Sequence, residues 1–156
     1  MPQPADIAPT IEPFVLQDIV RNALREDIGY GDVTTNAVVP LGTMALGTVE
    51  MNANGVVAGL PVVVEVFRQI DGAVSVECLV HDGSQVAPGD VIARISGPAR
   101  SILIGERVAL NFLQRMSGTA TLTAEYVARV AGTNAFIADT RKTTPGLRPL
   151  ERYSVL

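Results

Sequence analysis

Ala135-Phe136-Ile137-Ala138-Asp139-Thr140-Arg141-Lys142-Thr143-Thr144-Pro145-Gly146-Leu147-Arg148 joins two kinds of sequence. The first four residues are an apolar run of strand length. From Asp139 the chain turns polar and loop-like, and Pro149 then suits the first turn of a helix that stops at Leu156. Helix, strand, polar loop, helix is the opening of a parallel β/α architecture. In such folds the loops at the carboxyl ends of strands build the active site. This loop carries three cations, Arg141, Lys142 and Arg148, with threonine hydroxyls and a glycine turn between them. Arginine suits bidentate recognition of carboxylate or phosphate, and lysine supplies a compact charge. A polyanionic ligand is the natural partner. The competing interpretation is a solvated basic loop, against which the strand-end placement and the singularity of Lys142 both count. Eleven of the 12 basic residues are arginine, and Lys142 is the one lysine.

Upstream, Ala99 to Met116 reads as a helix, with Ile102, Ala109, Leu113 and Met116 on one stripe and Arg100, Arg107, Asn111 and Gln114 on another. Ser117-Gly118 is expected to break it, and Thr119 or Thr121 to cap a second helix running to Gly132. Taken alone, Arg107 is a solvated helix arginine paired with Glu106 or another acid.

Earlier segments alternate helix and strand signals. Residues 1–13 read as a loose arm. Phe14 to Asp27 has apolar residues at helical spacing and ends at Gly29. Residues 30–35 read as a loop, and Ala45 to Met51 as a strand. A short apolar strand lies between Gly55 and Gly59, and Pro61 begins a helix ending at Asp71-Gly72. Ala73 to Val80 alternates with period two, as does Val91 to Ile95, with turns at Asp82-Gly83 and Pro88-Gly89-Asp90. This pair of strands is shaped like a biotinyl or lipoyl carrier hairpin. Such carriers need an acceptor lysine at the tip, and no lysine exists here.

Bulk properties exclude several classes. The chain has 156 residues, 47% hydrophobic and 18% charged, with a formal net charge of −4, so it is globular and not a general nucleic-acid surface. No apolar stretch is long enough to span a bilayer. The N-terminus lacks the pattern of a signal peptide. One cysteine, Cys78, permits no internal disulfide and fits a reducing compartment, so the expected location is the cytoplasm. The single histidine, His81, reads as a surface loop residue, and neither it nor Cys78 supports a metal cluster. Glu26, Asp27 and Asp32 read as a solvated helix end and turn.

Gly105-Glu106-Arg107 through Thr121 closely resembles the quinolinate phosphoribosyltransferase family. So does Gly132-Thr133-Asn134 through Asp139-Thr140-Arg141-Lys142-Thr143-Thr144-Pro145-Gly146-Leu147-Arg148, followed by Tyr153. Earlier matches are residues 23–29, Gly31-Asp32-Val33-Thr34-Thr35 and residues 55–59. The resemblance implies an α+β N-terminal domain over residues 1–118, an antiparallel sheet with helices and a hammerhead-like hairpin. Residues 119–156 would then begin an incomplete α/β barrel. It also implies the reaction: quinolinate and phosphoribosyl pyrophosphate, with magnesium, give nicotinate mononucleotide, pyrophosphate and carbon dioxide. Arg141 would bind a quinolinate carboxylate. Lys142 would be the catalytic residue beside phosphoribosyl pyrophosphate, and Thr140 would fix the loop. Arg107 matches the arginine that reaches into the partner subunit's site of a homodimer.

The family's later His-Arg pair, a further lysine, the acidic residues serving metal and ribose, and the phosphate loops are expected beyond Leu156. The chain alone is accordingly expected to be inactive, with unpaired strand edges and apolar faces. Two alternatives stand beside this reading. One is a non-catalytic dimerisation or binding fragment. The other is a molybdenum-transport-associated relative, against which Asp139 before Thr-Arg-Lys favours the quinolinate type.

Overall fold

The computed structural model describes residues 10–29 and 31–155. Helix α1 (Pro13–Ile28) begins with proline in its first turn and ends at Gly29, whose φ of 52° is a glycine conformation. Helix α2 (Val33–Val38) follows, where the sequence suggested only a loop. Asp32 caps it, its carboxylate accepting from the Thr35 backbone at 2.9 Å and from the Thr35 hydroxyl. Both bonds, hydroxyl first, hold the Asp32 carboxyl below its usual range. The far end of α2 is tied down by Arg100, which donates to the carbonyls of Val39 and Asn36.

Strands β1 (Met44–Glu50), β3 (Ser75–Cys78) and β5 (Val91–Pro98) form an antiparallel sheet in the order β1-β5-β3. Strand β5 is central, and Ile92, Ala93 and Ile95 are buried along it. The two turns expected between Val80 and Val91 are present at Gly83 and Gly89, with φ of 88° and 90°. Between them β4 (Gln85–Val86) pairs with β2 (Gly55–Val56) as a separate ribbon.

Helix α3 (Leu60–Ile70) is the centre of the core. Val62, Val63, Val66 and Phe67 are all at most 1% exposed. Its base is joined to α1 by Gln69, which donates to the Gln17 carbonyl and to Glu65, itself held by Arg68. Helix α4 (Ala99–Val130) crosses α3 and runs 32 residues, about 48 Å at 1.5 Å per residue.

The two helices meet at Gly105. A Cβ there would lie 2.7 Å from Ile70 Cδ1 and 2.8 Å from Phe67 Cε1. Gly105→Ala is therefore expected to destabilise the fold. Overpacking costs about 1–3 kcal/mol, only partly offset by the roughly 1 kcal/mol gain in helix propensity. Chemical denaturation measures it, and a midpoint equal to or above the wild-type value would refute the close approach.

Helix α4 corrects the expectation of a break at Ser117-Gly118. The Ser-Gly-Thr stretch is a weak helix former, yet tertiary bonds hold it. The Ser117 hydroxyl accepts from the Ala58 amide at 3.1 Å and donates to the Ala58 carbonyl at 3.2 Å. The Thr121 hydroxyl accepts from the Val56 amide at 2.9 Å. Thr119, Thr121 and Thr123 each donate to the carbonyl four residues earlier, the pattern that lets threonine sit inside a helix.

A second correction concerns residues 135–138, expected as a strand. They form no strand, and Phe136 is 73% exposed. A parallel strand takes its backbone bonds from neighbours. No strand lies beside this segment among the described residues, and the Ala135 amide donates to the Thr133 hydroxyl of its own turn. The closing helix α5 (Arg148–Tyr153) is shorter than expected. Its Leu150 is 2% exposed and joins the core.

No helix among the described residues is long and apolar enough to cross a membrane. The expected arm over residues 1–13 falls mostly outside the described residues, and Pro13 already belongs to α1. Tyr30 and Leu156 also lie outside them.

Candidate functional site

The cationic loop lies between the end of α4 and the start of α5. Arg141 and Lys142 are both exposed, and neither takes part in an ion pair among the described residues. Thr140 turns the loop, its hydroxyl accepting from the Lys142 amide at 3.2 Å. Two adjacent exposed cations in no ion pair among the described residues, on a loop fixed at its Thr144 flank, form an arrangement suited to an anion.

Arg115 of α4 supplies the fixing. Its guanidinium donates to the Thr144 hydroxyl at 2.7 Å and to Glu151 Oε1 at 3.1 Å. Glu151 in turn accepts from the Thr144 amide with both oxygens at 3.3 Å. Hydrogen bonds from Thr144, then from Arg115, hold the Glu151 carboxyl below its usual range. On the other flank Arg152 stands 3.9 Å from Asp139.

The depressed Glu151 carboxyl has a pH consequence. Its stabilising effect is complete above its unfolded value of about 4.3 and is lost as pH falls through the lower folded value. The Thr144 amide resonance is expected to hold its native position down to about pH 4 and to move only below it. Release of Thr144 while the solution is still above pH 5 would contradict the tether.

Arg107 stands elsewhere. Its Nη1 donates to both oxygens of Asp27, at 3.0 and 3.1 Å, linking the end of α1 to α4. Asp27 thus does more than solvate a helix end. The pair is peripheral, with the Arg107 side chain 69% exposed. The Asp27 bond, then its charge, keeps Arg107 firmly protonated. No hydrogen bond among the described residues connects Arg107 with the loop. A cleft of about 350 Å³ bridges the two places, lined by Glu26 and Asp27 at one end and by Asn111, Arg115 and Leu147 further along. Arg107, Asn111 and Arg115 are successive fourth residues of α4 and share that face.

The sequence reading passed over Arg115, Glu151 and Asp82. For Arg115 a signal existed, its spacing two turns beyond Arg107. Asp82, expected only as a turn residue, accepts from the Gly59 and Leu60 amides at 2.8 and 3.1 Å, so it caps α3 from a distant turn. It also accepts from the Tyr153 hydroxyl at 2.7 Å. His81 beside it is an exposed turn residue, as expected. Cys78 is exposed on β3.

The N-terminal domain description of quinolinate phosphoribosyl transferase matches residues 32–117, and the C-terminal domain description matches residues 119–156. The chain belongs to the quinolinate phosphoribosyltransferase family. It is 42% identical over 142 residues to the carboxylating nicotinate-nucleotide pyrophosphorylase of Mycobacterium leprae, covering 89% of this chain and 50% of that protein. It is 39% identical over 153 residues to a mitochondrial, decarboxylating quinolinate phosphoribosyltransferase of Nicotiana tabacum, covering 97% and 43%.

Solved structures agree. The fold superposes on NadC of Streptococcus pyogenes with a TM-score of 0.90 at 40% identity, covering 94% of this chain and 52% of that one. The nicotinate-nucleotide pyrophosphorylase of Francisella tularensis gives 0.89 at 31% identity, covering 96% and 54%. The chain thus spans about half the length of the family members it matches. The antiparallel sheet with its helices is the family's, and the cationic loop and α5 lie in the segment matched by the C-terminal domain description.

Proposed function

We propose that this chain supplies the Arg141-Lys142 anion site of a carboxylating nicotinate-nucleotide pyrophosphorylase. The overall reaction joins quinolinate and phosphoribosyl pyrophosphate into nicotinate mononucleotide, releasing pyrophosphate and carbon dioxide. One observation carries the reading: two exposed cations, in no ion pair among the described residues, stand on a loop hydrogen-bonded at its Thr144 flank to Arg115 and Glu151, in a chain of this family. Arg141 places its planar fork on a quinolinate carboxylate. Lys142 faces phosphoribosyl pyrophosphate, where negative charge grows on the departing pyrophosphate and a fixed ammonium stabilises it. Thr140 holds the Lys142 backbone. Arg107 reaches the site of a second copy in a homodimer, with Asp27 as its partner at rest. Residues 119–156 act as the opening of the second, barrel domain, and α4 carries the chain into it without interruption.

Magnesium enters this reading with the substrate. Among the described residues no group of three or more His, Cys, Asp or Glu side chains clusters. The loop offers cations and hydroxyls. Magnesium prefers one or two carboxylates plus substrate phosphates, so these residues do not form its site alone. A cytoplasmic setting suits the exposed thiol of Cys78.

Titration calorimetry with quinolinate tests the fork. Arg141→Lys keeps the charge but loses the bidentate geometry, and about tenfold weaker binding is expected, the worth of one net hydrogen bond of roughly 1.4 kcal/mol. Equal affinity would remove Arg141 from the carboxylate.

A second reading, a dimerisation or binding piece without catalysis, rests on an apolar groove. It has about 320 Å³ between β1 and α4, lined by Leu46, Val49, Phe67, Ile102, Leu103 and Leu110. Sedimentation showing a dimer, together with no binding of either substrate, would favour it.

A further inference from the structure

Three successive residues of α5 reach three different segments. Glu151 binds Thr144 and Arg115, Arg152 faces Asp139, and Tyr153 donates to Asp82. The first holds the Thr144 flank of the cationic loop by hydrogen bonds, and the second sets a charge opposite the Asp139 flank at 3.9 Å. The third decides where α5 itself sits.

Asp82 is a rigid anchor for that purpose. Oδ1 accepts from the Leu60 amide, and Oδ2 accepts from both the Gly59 amide and the Tyr153 hydroxyl. The amides belong to the N-cap and first residue of α3, whose Val62, Val63, Val66 and Phe67 are at most 1% exposed. A carboxylate so held cannot swing to follow α5, so α5 is positioned by it. The Tyr153 phenol is partly buried, and burial followed by the Asp82 bond pushes its pKa up, so it remains a proton donor throughout the neutral range. The bond spans 71 residues and joins the turn between β3 and β4 to the helix that ends the loop.

We propose that Asp82 and Tyr153 are positioning residues for the Arg141-Lys142 loop, acting through α5 and touching no substrate. This deepens the anion-site reading and rests on it. Asp82 capping α3 is a separate structural duty, and the two duties part at Tyr153, whose hydroxyl serves only the link to α5.

The test uses Tyr153→Phe in this chain, with Glu77→Gln, which breaks an exposed β3–β5 ion pair, as the control. Amide hydrogen exchange is followed by mass spectrometry, and binding of phosphoribosyl pyrophosphate by NMR titration. Tyr153→Phe is expected to speed exchange over residues 139–153 by about tenfold or more, the size of a lost hydrogen bond to a charged group. Exchange over α3 should change by less than about twofold, because the Gly59 and Leu60 bonds remain. Phosphoribosyl pyrophosphate should bind several-fold more weakly, and Glu77→Gln should alter neither readout. Unchanged exchange over 139–153 overturns the link. Faster exchange with unchanged affinity overturns the positioning role and leaves a purely structural bond. Absence of binding by the wild-type chain overturns the anion-site reading instead, while the exchange comparison still decides whether Asp82 and Tyr153 hold the loop.

Discussion

Lys142→Ala is expected to weaken binding of phosphoribosyl pyrophosphate by about 100-fold while leaving the melting temperature unchanged. The magnitude follows from removing a charge-assisted contact to a polyanion, on the order of 2–3 kcal/mol. The unchanged stability follows from the structure. The Lys142 side chain is exposed and in no ion pair among the described residues, so the fold does not depend on it. Only its backbone amide is engaged, by Thr140, and alanine keeps that amide. Calorimetry and differential scanning on the same preparations check both halves. A large fall in stability would mean that Lys142 has a structural partner. An affinity within about twofold of wild type would remove it from the phosphate site.

Phe67→Ala is expected to lower stability by about 3–5 kcal/mol, the usual range for a buried aromatic in a core that cannot collapse. Phe67 is 1% exposed, and its ring meets α4 at Gly105. Collapse is resisted from both sides. Helix α4 is pinned to residues 56–58 by Ser117 and Thr121, and α3 is pinned at its start by Asp82. The cavity would also open into the apolar groove between β1 and α4, which Phe67 already lines. Urea denaturation measures the effect, and a loss below about 1 kcal/mol would mean that α3 and α4 close the gap.

Helices α1, α3 and the first half of α4 were legible because their apolar residues repeat at helical spacing over three or more turns. Strands β3 and β5 were legible through alternation and through the glycine turns at Gly83 and Gly89. Helix α2 was missed because Val33-Thr34-Thr35-Asn36 has little helix propensity, although Asp32 is a good cap. The break expected at Ser117-Gly118 reflects the same local reasoning. What keeps α4 whole are bonds to Val56 and Ala58, 65 and 59 residues away. No local pattern announces a partner at that distance.

The site divides along the same line. The loop cations Arg141 and Lys142 could be read from composition and position, whereas Arg148, expected in the loop with them, is the first residue of α5. The tethers that shape it could not, because they are long-range pairings: Arg115 with Glu151, Asp82 with Tyr153, and Arg107 with Asp27 eighty residues earlier. Residues 135–138 show the converse. Their strand signal is intrinsic, but a strand exists only beside another, and none flanks them among the described residues.

The most direct test is a two-dimensional 1H–15N titration of this chain with phosphoribosyl pyrophosphate, a method that detects even millimolar binding. Saturable shifts centred on the amides of residues 140–144, lost in Lys142→Ala and reduced by salt, are what an anion site at this loop predicts. Shifts centred elsewhere, or shifts that survive Lys142→Ala unchanged, would contradict it.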